Sequence, residues 1–120
     1  MISKPITPKL HGLIDYGFSA VQAFVPALLG VNKKAAKLYQ ATAINLLAYN
    51  ALTDHPVSIK PIIPYKTHFK TDVVNVAGLA LLTLYKGIRK DKKALAFHVA
   101  LVTLAAANVL LTNWDAKPSK

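Results

Sequence analysis

Two histidines and two aspartates at matched spacing are the residues of this chain best suited to chemistry. His11 and Asp15 stand four apart in HGLIDYG, and His68 and Asp72 stand four apart in HFKTDVV. Residues four apart on a helix share a face, so each pair would present an imidazole and a carboxylate together. Such groups can ligate Zn, Mn or Fe, relay protons, or hold helices together by hydrogen bonds. The elements that carry them decide which of these is open.

The chain of 120 residues is long enough for one domain. It is 53% hydrophobic yet carries a formal charge of +10. The charges are segregated along the sequence, with lysines crowded between long uncharged runs, which is the pattern of a small helical membrane protein. A nucleic-acid partner is not expected, because no basic stripe overlies an ordinary apolar fraction. Cysteine is absent, which excludes disulfides and thiolate metal sites. All five acids are aspartates. Asp15 interrupts the only stretch that could be the core of a cleaved signal peptide.

Four helices are expected, over about Lys9–Gly30, Lys34–Asp54, Tyr65–Gly87 and Lys92–Trp114. Thr7 and Pro8 suit the first N-terminus, and Gly30 suits its stop. Each segment is about twenty residues, or roughly 30 Å, near the thickness of a bilayer core. Uncharged runs cover Tyr16–Asn32, Leu38–Thr53, Val73–Tyr85 and Ala94–Trp114. The third is only thirteen residues, so a soluble helical bundle is the alternative architecture.

A shift of 57 residues aligns Ile6 with Ile63, His11 with His68, Asp15 with Asp72 and Gly30 with Gly87. Past the hairpin turn the shift becomes 59, aligning Ala35 with Ala94, Thr53 with Thr112 and Asp54 with Asn113. The chain reads as one domain of two hairpins, 11–56 and 68–115, joined by a loop over 57–67. The expected fold is therefore all-α, a four-helix transmembrane bundle of two parallel-repeat hairpins. Lys33, Lys34, Lys37, Lys86, Arg89, Lys90, Lys92 and Lys93 fall in the two hairpin turns. The positive-inside rule places those turns in the cytoplasm and the termini outside.

HGLIDYG, then Pro26 and Gly30, then ALTDHP, then IPYKTHFKTD resembles the ordered motifs of SPW-repeat proteins, small integral proteins of bacterial membranes. The likeness covers about residues 5–115, but Val25-Pro26-Ala27 replaces the namesake triplet, and Leu82-Thr83-Leu84 lacks even the proline. The resemblance implies two hairpins crossing the inner membrane four times. It implies no activity.

Within such a bundle, His11, Asp15, Asp54, His68 and Asp72 would gather at the outward end. Gln22, Asn50, Asn75, Asn108 and Thr112 would line the interior beside them, since lipid exposure of polar groups is costly. Thr83, His98 and Asp115 fall on the same inward stripes. Three roles are open to the cluster. It could hold a divalent metal through His11, Asp15, His68 and Asp72, carry protons, or serve as a hydrogen-bonded clamp between hairpins. From sequence the clamp is preferred, which makes the protein structural or accessory, without a resident cofactor. Lipid is the expected partner, with a second copy or another membrane protein next. No phosphate loop, nucleophile elbow or dinucleotide fingerprint is found, so no enzymatic activity is expected. Pro26 is expected to kink its helix. The tyrosines and Trp114 read as interface anchors or core. Gly17, Ala20, Ala77 and Gly78 read as points of close helix approach.

Overall fold

The computed structural model describes residues 4–117, which form an all-helical protein. Helix α1 spans Pro8–Leu29, α2 Lys33–Ala51, α3 Tyr65–Leu82, α4 Lys86–Arg89 and α5 Lys92–Leu111. The Thr7 hydroxyl accepts from Leu10 N–H and opens α1, with Pro8 in the first turn. Gly30 closes it at φ 77°, and Val31 N–H reaches back to the Pro26 carbonyl. This left-handed close satisfies carbonyls that the helix end would leave bare. Asn32 caps α2 and Asp91 caps α5, and Asn32 also donates to the Asp91 carboxylate, tying the two helix starts together.

Several boundaries differ from the expectation, each for a local reason. The second helix stops at Ala51, not Asp54, because Thr53 leaves it to form a bridge with Ile63. The last stops at Leu111, not Trp114, because Thr112 forms the corresponding bridge with Ile6. The third stops at Leu82, and the short α4 occupies the turn that follows. Gly87 is thus no helix stop: it lies within α4, where an added Cβ would come within 2.6 Å of the Tyr85 ring. Pro26 sits in the last turn of α1 and the helix runs through it.

The two bridges are built alike. Ile6 N–H donates to Leu111 and Asn113 N–H to Ile6, while Ile63 N–H donates to Leu52 and Asp54 N–H to Ile63. Each strap that precedes a hairpin is therefore bound to the far end of the other hairpin. Helix α1 packs closely along α2, whereas α3 lies more loosely against α5.

Beside a small apolar core that includes Tyr39, Ile88 and Leu101, many polar groups are buried and many large apolar ones exposed. His11, Asp15, Gln22, Asn50, His68, Asp72, His98 and Asn108 are buried. Phe24, Leu28, Ile44, Val74, Leu81, Leu104 and Leu110 are all more than half exposed. Two helices, α1 and α5, are long and apolar enough to cross a membrane. Gly17 and Gly78 are not points of close approach, since a Cβ at either meets nothing within 4 Å, and Ala20 and Ala77 are exposed. The close approach is at Gly12, where a Cβ would lie 2.6 Å from Val57 and 2.8 Å from His55.

Candidate functional site

The straps and helix starts bring His11 and Asp15 of α1 against His68 and Asp72 of α3. His11 Nε2 lies 2.9 Å from Asp72 Oδ2 and 3.2 Å from Asp15 Oδ2. His68 Nε2 lies 2.9 Å from Asp15 Oδ2 and 3.2 Å from Asp72 Oδ2. The four atoms form a closed quadrilateral with nitrogen and oxygen alternating. Both imidazoles are fully buried, and the carboxylates are nearly so.

The surroundings fix which ring nitrogen carries hydrogen. Thr112 Oγ1 donates to the Asn108 carbonyl at 2.5 Å, and Thr53 Oγ1 donates to the Tyr49 carbonyl at 2.5 Å. A threonine hydroxyl has one hydrogen, so each oxygen can only accept from the histidine beside it. His11 Nδ1 donates to Thr112 at 2.8 Å, and His68 Nδ1 donates to Thr53 at 2.7 Å. Each Nε2 is left to face two carboxylate oxygens.

The outer carboxylate oxygens are also held. Tyr49 OH donates to Asp72 Oδ1 at 2.6 Å, and Asn108 Nδ2 donates to Asp15 Oδ1 at 3.2 Å. Asn75 in turn donates to Tyr49 OH. Trp114 lies over one side of the cluster, its ring centroid 4.7 Å from that of His11, and Tyr65 and Phe69 stack around it.

Bare imidazole nitrogens and carboxylate oxygens at 2.9–3.2 Å are acceptors facing acceptors. Positive charge must stand between them. Two protons, one on each Nε2, would supply it, and so would one divalent cation; either balances the two carboxylates. The four donors lie within 4.8 Å of one another; a tetrahedral ion with bonds of about 2.0–2.1 Å spaces every pair of donors about 3.3 Å apart, so the edges of the quadrilateral already suit one and its longer diagonal must close for a tetrahedral ion to be held.

Among the other residues expected here, Asn108 and Thr112 join the cluster directly. Gln22 lies deeper, accepting from Thr42. Asn50 donates to the Gly12 carbonyl and accepts from His55. Asp54 stays outside: it is half-buried, its backbone N–H donates to the Ile63 carbonyl, and its carboxylate makes no hydrogen bond or ion pair among the described residues. Asp115 lies beyond α5, exposed, 3.1 Å from Lys66. His98 pairs with Tyr39 near the other end of the bundle at 2.7 Å, and its Nε2 donates to the Leu79 carbonyl.

Sequence reasoning missed the role of Thr53, although its alignment with Thr112 was visible. It also missed His55 and the covering position of Trp114, which the same shift of 59 aligns. His55 is buried in the loop after α2; its Nε2 donates to Asn50, and its Nδ1 accepts from Val57 N–H. Burial holds this imidazole below the usual histidine range.

No family model, curated protein or solved structure matches the chain.

Proposed function

We propose that this chain is a duplicated helical hairpin that sits in a bacterial inner membrane and holds one divalent transition metal between His11, Asp15, His68 and Asp72. The observation that carries the metal is the pair of threonine relays. They spend both Nδ1 hydrogens outward and turn both Nε2 atoms onto paired carboxylate oxygens. Ligating histidines characteristically donate their other nitrogen in this way, and ligating carboxylates are themselves hydrogen-bonded. An imidazole-and-carboxylate set suits Zn, Mn or Fe.

The membrane placement rests on the reversed distribution of polarity, with polar groups buried and large apolar side chains exposed. The lysine-rich turns around Lys33 and Lys90 then face the cytoplasm, and the metal lies toward the outer face. The duplication is supported by contacts that repeat under the shifts of 57 and 59: both bridges, both threonine relays and both carboxylate holds.

A purely structural cluster is the second reading. The 2.9 Å separations are also those of hydrogen bonds between imidazolium and carboxylate. Elemental analysis of the detergent-purified protein separates the two. The metal centre predicts about one Zn, Mn or Fe per chain, lost in both the His11→Ala/His68→Ala and the Asp15→Asn/Asp72→Asn variants. Folded wild-type protein that takes up no metal from buffers containing each ion in turn would leave the structural clamp.

A further inference from the structure

The end of the bundle away from the His/Asp cluster is charged almost wholly in one sense. The two hairpin turns, residues 30–37 and 86–93, carry eight basic side chains and one acid, Asp91. All eight basic residues are exposed. None of them makes an ion pair among the described residues, where the one lysine so paired is Lys66, with Asp115.

The single acid is taken up by amides. Asp91 Oδ2 accepts from the backbone and side-chain N–H groups of Asn32 at 2.9 and 3.0 Å, and Oδ1 accepts from Lys93 N–H and Ala94 N–H at 3.1 and 3.3 Å. Asn32 also donates to the Gly87 carbonyl at 2.6 Å. These bonds clamp the two turns together and leave between them an open cleft of about 700 Å³, lined by Lys34, Lys86, Lys90 and Lys92. Tyr85 makes part of its wall, with its ring against Gly87. A cleft lined by one sign of charge concentrates the opposite ion.

The surface beside the cleft says which anion. Leu28 and Leu84 closely precede the two turns and are 84% and 70% exposed. Apolar surface therefore adjoins the basic one. A free phosphate would use only the lysines. A phospholipid uses both, with its phosphodiester among the ammonium groups and its acyl chains along the leucines. We propose that the cleft between the two hairpin turns binds the head of an anionic phospholipid from the leaflet that the turns adjoin. The proposal rests on the bilayer placement above and is independent of the metal.

The test uses the full chain in an uncharged detergent, titrated with phosphatidylglycerol or with phosphatidylcholine of the same acyl chains, and reads the lipid retained by native mass spectrometry. Phosphatidylglycerol should be held about tenfold more tightly, a ratio that a few lysines beside a lipid phosphate can sustain. Lys34→Gln/Lys86→Gln/Lys90→Gln/Lys92→Gln should abolish the preference. Lys4→Gln/Lys9→Gln/Lys60→Gln/Lys70→Gln removes as much charge from exposed positions toward the other end and should keep it. Equal retention of the two lipids by wild type, or equal loss of preference in the two variants, would overturn the site. Inorganic phosphate or glycerol phosphate displacing the lipid at matched concentration would overturn the lipid as its occupant. Bilayer placement is read separately, by alkaline carbonate extraction of membranes holding the wild-type chain. Protein that stays in the membrane but shows no phosphatidylglycerol preference contradicts this cleft alone, and protein that is released contradicts the placement and the lipid site with it.

Discussion

Thr53 and Thr112 do for the histidines what neither histidine can do for itself. Each anchors an Nδ1 hydrogen and so chooses the nitrogen that faces the carboxylates. Replacing either by valine keeps the shape and removes the relay. Metal affinity should fall about 10–100-fold, the usual effect of losing an outer partner of a ligating histidine, and competition with a chromogenic chelator would measure it. Unchanged affinity would mean that the relay does not orient a ligand. His55 gives a pH prediction. Its folded-state pKa is depressed by burial, while the unfolded value is about 6.5. The unfolded chain thus binds the proton first as pH falls. The stabilisation is complete above about pH 6.5 and is lost as pH falls toward the depressed folded value. Hydrogen exchange at the Val57 amide, which donates to His55, should accelerate over that window and should not do so in His55→Gln.

At the scale of elements, straps and helix ends set the site more than helix interiors do. The His-x-x-x-Asp pairs were legible because helical spacing alone puts each pair on one face, and the internal alignment predicted that the pairs would meet. What was not legible lies where the backbone leaves the helix. Uncharged runs continue past Ala51 and Leu111, so periodicity carried the expected helices on to Asp54 and Trp114. The bridges to Ile63 and Ile6 end them earlier and turn Thr53 and Thr112, not Asp54, toward the histidines. Such pairing joins residues far apart in the chain and leaves no local pattern. Glycines misled for a similar reason, since composition does not say which one touches a neighbour. Gly12→Ala should destabilise by about 1–3 kcal/mol, as overpacking does, because its Cβ would strike Val57 and His55. Gly17→Ala, in open space on the same helix, should stabilise by up to about 1 kcal/mol through helix propensity. Thermal unfolding of both variants in one detergent would test the contrast, and equal effects would refute it.

For the whole molecule, the distribution of polarity is the main fact. Leu104, near the middle of α5, is 58% exposed. In water that is an ordinary cost, but in a bilayer it is a lipid contact. Leu104→Asp should therefore impair insertion by about 2.5–3.5 kcal/mol, the cost of a charge at the centre of a spanning helix. The variant should be extracted by alkaline carbonate while wild type and Leu104→Phe stay in the membrane. A wild-type chain released by carbonate would refute the bilayer placement. The proposed bilayer placement would account for the buried polar centre: were lipid outside, two carboxylates and two imidazoles could gather only between the hairpins, and their charge would be balanced there.

The most direct measurement of that balance is X-ray absorption at the metal edge, on wild-type protein purified without chelators and supplied with zinc. The metal centre predicts a first shell of nitrogen and oxygen only, four donors at about 2.0–2.1 Å, with the outer-shell scattering of two imidazoles. That scattering should fall by half in His68→Gln. A spectrum of hydrated zinc, or one unchanged by His68→Gln, would contradict it and leave two protons as the charge that holds the hairpins together.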